Sequence, residues 1–164
     1  MAEAIRIDIL EERIEAPAPP EYPMAWHRFL SCFLLCAAAA LRLGQAAWLL
    51  LGGAYRSRAL QSQIYEGLPA LKYADWAWAA CMIIAAVLLA RSARRLRARR
   101  RCGLTLLKWG WLLSAGAGAA HMLARFAISG LPPLNLSELA RLLAQLLLAR
   151  ICTVYYRRRP GALD

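Results

Sequence analysis

The stretch "CMIIAAVLLARSARRLRARRRCG", Cys81–Gly103, decides the fold because its character changes at one residue. It is almost wholly apolar up to Ala90, whereas seven of the eleven residues from Arg91 to Arg101 are arginine. An apolar run that ends in a basic block is typical of a membrane helix stopped by a cytoplasmic loop. We therefore predict that the arginine block fixes the end of a membrane helix.

The composition of the whole chain supports a membrane protein. Hydrophobic residues make up 60% of the 164 residues, against about 45–50% in a soluble domain. The net charge is +11, and 19 of the 21 basic residues are arginine. Such a charge would suit nucleic acid or an anionic membrane equally well. The arginine block has no aromatic residues for base stacking and no adjoining soluble fold, so we predict no specific nucleic-acid binding.

Four apolar segments are long enough to cross a bilayer. They cover residues 26–51, 73–90, 104–128 and 138–156. At 1.5 Å per residue they are about 27–39 Å long, and the hydrocarbon core is about 30 Å thick. Helices of a soluble bundle would keep a polar face along their length, which these segments lack. The predicted fold class is an all-α polytopic membrane protein with four transmembrane helices in a compact bundle.

The distribution of charge predicts the orientation. Residues 1–25 form an acidic, proline-rich tail, residues 91–103 form the arginine-rich loop, and residues 157–164 form a second tail. Thirteen arginines lie in or beside these three segments, whereas the first loop on the other side has three basic residues. The positive-inside rule therefore places both termini in the cytoplasm of a cell (inner or plasma) membrane protein, with anionic headgroups at Arg91–Arg101.

Placing an ionisable residue inside a membrane span costs free energy, so each such residue is a candidate for a functional site. Helical spacing and depth place several of them in one outward-facing polar cluster, with Glu138 and Asp75 as partial counter-charges. The predicted members are Arg42, Gln45, His121, Arg125, Glu138, Arg141 and Gln145. The cluster could hold a lipid phosphate or a carboxylate, or its arginines could snorkel and pair within the protein. Arg42 has the least access to water and is the first residue to test.

Small residues on the third span predict a close helix contact. Gly110, Ser114 and Gly118 recur every four residues on one face. Such a stripe lets a neighbouring backbone approach, either within the chain or in a partner.

The sequence predicts neither catalysis nor a cofactor or metal site. We find no glycine-rich phosphate loop, no His-Glu metal pair and no Gly-x-Ser-x-Gly elbow. Ser114 and His121 are seven residues apart, about 10 Å along a helix, which is too far for a nucleophile and its base. The five cysteines form no Cys-x-x-Cys pair.

Three strings resemble a group of small bacterial four-span membrane proteins that have no established activity. These strings are "YPMAWHRFL" before the first span, "LPALKYADWAW" before the second and "YYRRR" at the end. The resemblance covers roughly residues 22–159. It implies a bacterial inner-membrane protein and singles out Trp26, Lys72, Asp75 and Tyr156. Some relatives carry a cysteine-paired zinc ribbon ahead of the spans, but this tail has no cysteine.

The predicted function is non-enzymatic. We expect an accessory or assembly component of the membrane that acts through helix contacts and anionic lipid, with a homo-oligomer or a membrane protein as partner. The alternative is a small transporter or channel subunit whose outer vestibule binds an anion through its arginines and histidine. A transporter should show a polar path through the spans, and the cytoplasmic half of the first three spans is apolar apart from Lys108.

Overall fold

The computed structural model describes residues 25–130 and 136–157, and in that part every regular element is a helix. The all-α fold class is therefore confirmed for the described residues. The five main helices are α1 (Ala25–Leu50), α2 (Arg58–Gly67), α3 (Pro69–Arg97), α4 (Cys102–Ser129) and α5 (Leu136–Arg157). The predicted tails, 1–25 and 157–164, lie outside the described residues except for one residue each.

Three helices of the described part are long and apolar enough to cross a membrane. They are Ala25–Leu50, Pro69–Arg97 and Leu139–Tyr156. Helix α4 has 28 residues and is long enough, but Lys108, His121 and Arg125 lower its mean hydropathy. The structure thus supports a membrane protein with three apolar helices, and the fourth span remains a prediction.

Helix α1 contains a π-helical segment, Phe29–Leu34. A π-helix shifts the hydrogen bonds by one residue and leaves local carbonyl groups free for other donors. The guanidinium group of Arg97, at the end of α3, donates to the carbonyl oxygens of Ser31 at 3.3 Å and Cys32 at 3.5 Å. The irregular segment therefore becomes a contact between α1 and α3.

Helix α2 lies in a segment that the sequence predicted to be a loop. It begins after Ser57, whose hydroxyl accepts a hydrogen bond from the backbone N–H of Leu60 at 3.2 Å, as an N-cap does. Its buried Gln61 donates to the carbonyl oxygen of Leu49 at 3.0 Å, at the end of α1. The connection between α1 and α3 is thus a helix held against the bundle. We call this end of the bundle the α2 end.

The predicted loop at residues 91–103 is wrong in extent. Helix α3 continues to Arg97 and α4 begins at Cys102, which leaves a turn of residues 98–101. Arginine is a good helix former, and basic residues favour the C-terminal end of a helix. The turn closes with Arg99 at φ 54° and a bond from the Arg100 N–H to the Arg95 carbonyl oxygen at 3.0 Å. This is the left-handed C-terminal arrangement of a helix, in which glycine is the usual residue. We call the end of the bundle that contains this turn the arginine end.

The helices pack around a core that is densest near the arginine end. Its largest cluster joins all four long helices through buried leucines and alanines, Trp111 of α4, and Cys152 and Tyr156 of α5. Ser92 and Gly103 hold the α3–α4 hairpin at its turn, since the Ser92 hydroxyl donates to the Gly103 carbonyl oxygen at 2.8 Å. Near the same end, buried Tyr156 of α5 bonds His27 of α1, with 2.9 Å between the hydroxyl oxygen and Nδ1. Each long helix is therefore fixed at this end.

Candidate functional site

A buried carboxylate organises the α2 end. Asp75 is fully buried in α3 and has three side-chain partners. Tyr55 donates to its Oδ2 at 2.5 Å and Tyr65 donates to the same atom at 2.7 Å. His121 of α4 places Nε2 at 2.7 Å from Oδ1. We call these four residues the Asp75 cluster, and it ties α3, α4 and the α1–α3 connection together.

The electrostatics of the cluster keep its phenols protonated. Burial, followed by the hydrogen bond and the charge of Asp75, raises the pKa of Tyr65 to about 12. The same causes raise the pKa of Tyr55 above its usual value. Both hydroxyl groups therefore remain donors at neutral pH, and Gln61 supports Tyr65 by donating to its oxygen at 2.9 Å. Three donors around one carboxylate satisfy a charge that would otherwise be costly to bury.

Arg42 is the second buried charge, and its surroundings differ from those of Asp75. It is only 6% exposed. Its Nη1 donates to Oε1 of Gln45 at 3.1 Å, while its buried Nε has no hydrogen-bond partner. The guanidinium group also lies 5.6 Å from the ring centroid of Trp111. No carboxylate of the described residues lies within ion-pair distance of Arg42.

Arg42 lines a cavity of about 410 Å³ between α1, α4 and α5. Arg141 of α5 lines the same cavity and repels Arg42 electrostatically. Gln145 lines it too and accepts a hydrogen bond from Ser114 at 3.1 Å. We call this space the Arg42 cavity. Two like charges that face a shared space, one of them buried, favour an anion between them.

A smaller cavity of about 70 Å³ lies beside the first and shares Gln45 and Arg141 with it. His121 and Trp78 line it, and their rings stack with centroids 5.2 Å apart. His121 therefore links the Asp75 cluster to this smaller cavity, which in turn adjoins the Arg42 cavity.

The structure brings most of the predicted polar cluster together. Arg42, Gln45, Arg141 and Gln145 line the Arg42 cavity, and His121 lines its neighbour. Arg125 is exposed and lines neither of these two cavities. The side chain of Glu138 lies outside the described residues. Asp75 was expected to offset the arginines, but its described partners are His121 and two tyrosines, because these donors reach it at hydrogen-bond distance.

The small-residue stripe of α4 contacts two helices of the same chain. A Cβ on Gly110 would lie 3.0 Å from the side chain of Leu89 in α3, and one on Gly118 would lie 3.1 Å from Leu142 in α5. Ser114, between them, is buried. The stripe therefore serves packing within the chain in the structure.

The sequence analysis named Asp75 but missed its partners Tyr55 and Tyr65. Tyr55 and Tyr65 lie in the segment that was predicted to be a loop, and Asp75 was predicted to lie near the outer end of a span. One signal in the sequence pointed to Asp75. It lies between Tyr73 and Trp76 and is followed by a long apolar run. Of the other motif residues, Trp26 is exposed and stacked on Phe29, and the Lys72 ammonium lies 5.2 Å from the Trp76 ring centroid.

No protein-family model, no curated protein and no solved structure matches this chain. The resemblance drawn from short motifs therefore stays a prediction, and function has to be inferred from the geometry.

Proposed function

We propose that the chain is a non-enzymatic accessory or assembly component of a cell membrane that holds an anionic group between Arg42 and Arg141. The observation that carries this proposal is the buried guanidinium group of Arg42, whose Nε has no partner and whose one described acceptor is an amide oxygen. A buried charge is stable when it is paired, and arginine matches the oxygens of phosphate and carboxylate groups. An anion in the Arg42 cavity would supply a counter-charge that Arg42 does not have among the described residues.

The proposed topology has four spans with both termini in the cytoplasm. Helix α4 is the added span, since its glycines pack closely against its neighbours and its 28 residues match α3 in length. The arginine end would face the cytoplasm and the α2 end the outside. Arg91, Arg94, Arg95 and Arg100 line a depression of about 910 Å³ at the arginine end, which suits anionic headgroups.

The accessory role is supported by two features. Only 11% of the apolar stretch Leu139–Tyr156 of α5 is buried within the chain, so this helix offers an apolar side to lipid or to another helix. The core near the arginine end is mostly apolar and joins all the long helices. A packed cytoplasmic half favours a binding or assembly role over a transport path.

The topology predicts which reagents reach Cys102, which is exposed at the start of α4. In a variant that retains only this cysteine, a membrane-impermeant maleimide should label inverted vesicles and leave intact cells unlabelled. The control places a single cysteine at Ser62, which is exposed on α2, and should give the opposite pattern. Labelling of Cys102 in intact cells would contradict the proposed orientation.

The proposed anion site predicts the effect of Arg42→Leu. Native mass spectrometry after mild detergent extraction should show one anionic species on the wild type, whose occupancy falls at least about tenfold in the variant because the buried donor is lost. Arg125→Leu removes the same charge from the same half of the bundle and should retain the species.

Three outcomes would contradict the anion site. Equal losses in both variants would mean that net charge, not the cavity, retains the anion. Equal retention in both would mean that Arg42 does not hold it. A wild type that carries no anion, even after incubation with inorganic phosphate and with phosphatidylglycerol, would overturn the proposed function.

A further inference from the structure

We infer that the anion at Arg42 is the headgroup of an anionic phospholipid whose acyl chain lies in the apolar part of the Arg42 cavity. This inference rests on the function proposed above and names the class of ligand. The argument starts from how polar and apolar residues are distributed along the cavity.

The Arg42 cavity has a polar and an apolar part. Its polar part is formed by two arginines and two glutamines, and its apolar part by Leu34, Ala37, Ala38, Leu41, Ala144 and Leu148 with the ring of Trp111. Leu34 lies about 12 Å from Arg42 along α1, and Leu148 lies about 10 Å from Arg141 along α5. The two helices run in opposite directions, so both leucines lie on the arginine-end side of the charges.

The cavity is also open to the side of the bundle. Leu41 is 63% exposed although it lines the cavity, and Ala144 of α5 is exposed as well. In the proposed orientation this side faces the bilayer. A lipid could therefore enter laterally, without passing through the protein.

The shape of the site matches an amphiphile better than a free anion. Inorganic phosphate would use the polar part alone and leave the apolar part without a function. A phospholipid would place its phosphate at Arg42 and Arg141 and its chain towards the middle of the bilayer. In the proposed orientation the headgroup points outward and the chain points inward, which is the direction of a lipid in the outer leaflet. The volume, about 410 Å³, is in the range of ligand sites.

The test compares three probes on the full-length chain in detergent by native mass spectrometry. They are dioctanoyl phosphatidylglycerol, its deacylated headgroup glycerophosphoglycerol, and dioctanoyl phosphatidylcholine, which has the same chains and no net charge. We expect one phosphatidylglycerol to bind at least about tenfold more tightly than either of the other two, because the site uses both the charge and the buried methylene groups.

Variants of the apolar part separate the lipid from the free anion. Ala37→Trp fills the apolar part of the Arg42 cavity, on the arginine-end side of Arg42. It should weaken phosphatidylglycerol binding at least about tenfold. Ala40→Trp is the matched control, since Ala40 is exposed on the same helix and does not line the cavity. Ala144→Trp enters the cavity from α5 at an exposed position, so it gives the same test if Ala37→Trp does not fold.

The outcomes distinguish this inference from the proposed function. If glycerophosphoglycerol binds as tightly as the lipid and still requires Arg42, the ligand is a free anion and the inference is overturned while the proposed function stands. The inference is also overturned if tryptophan at 37 or 144 leaves lipid binding unchanged. If neither anion binds, or if Arg42→Leu changes nothing, the proposed function itself fails.

Discussion

Replacing Asp75 by alanine should lower the free energy of unfolding by about 3–5 kcal/mol, the usual cost of removing one partner of a buried charged network. The substitution leaves the hydroxyl groups of Tyr55 and Tyr65 and one nitrogen of His121 without their acceptor. It also removes the hydrogen bonds between Asp75 and the α1–α3 connection, which is then held by Gln61 and by apolar packing. Reversible unfolding in mixed detergent micelles, followed by circular dichroism, would measure the change.

Two further variants make the Asp75 result specific. Asp75→Asn keeps the side-chain volume and one acceptor oxygen, but its NH₂ group would face a donor that now has no acceptor. We therefore expect the free energy of unfolding to fall by an intermediate amount, about 1–3 kcal/mol. Glu66→Ala removes an acid from the exposed surface of α2 and should change the stability by less than about 0.5 kcal/mol. If Asp75→Ala were as stable as Glu66→Ala, the cluster would not hold the bundle together.

Replacing Gly110 by leucine should destabilise the bundle by about 3 kcal/mol, at the upper end of the usual cost of overpacking. A Cβ alone at this position would lie 3.0 Å from Cγ and Cδ2 of Leu89. The remaining carbons of the side chain would push α4 away from α3, whose contact forms much of the core. The same unfolding measurement applies, and loss of the native fold would be the extreme form of the expected result.

The matched control for Gly110 lies on the same helix. Gly116 is exposed, and a Cβ there would have no neighbour within 4 Å. Gly116→Leu should therefore be neutral or slightly stabilising, since glycine is a poor helix former. Equal destabilisation by both variants would mean that the close contact at Gly110 is not what fixes the hairpin.

The sequence predicted the long helices well because apolar runs and basic ends are local signals. The predicted and observed ends of the helices differ mainly where polar residues are also good helix formers. The arginines that extend α3 to Arg97 are an example. Helix α2 was missed because a ten-residue polar segment between two apolar runs looks like a loop. Its stability depends on an N-cap at Ser57 and on Gln61 reaching the end of α1, and the second of these is a tertiary contact.

The candidate site was predictable in part for a related reason. Helical spacing and depth placed Arg42, Gln45, Arg141 and Gln145 near one another, and the structure brings them to one cavity. The pairing of Asp75 with two tyrosines depends on how the α1–α3 connection folds back, which no periodicity encodes. Spacing likewise placed Arg125 on the polar face, but the face turns outward there and leaves this residue exposed.

The short turn at residues 98–101 has a consequence for how the protein is made. Helix α3 meets the length and hydropathy expected of a span, whereas α4 is not among the three helices that do. A turn of four residues cannot separate the two helices by the width of a bilayer. In the proposed four-span topology, the two would therefore enter the membrane during synthesis as one hairpin, with α3 assisting the insertion of α4. Arg99 has a positive φ, where glycine would be less strained. In the proposed topology its charge adds to the positive-inside signal that keeps the turn in the cytoplasm, at a small conformational cost.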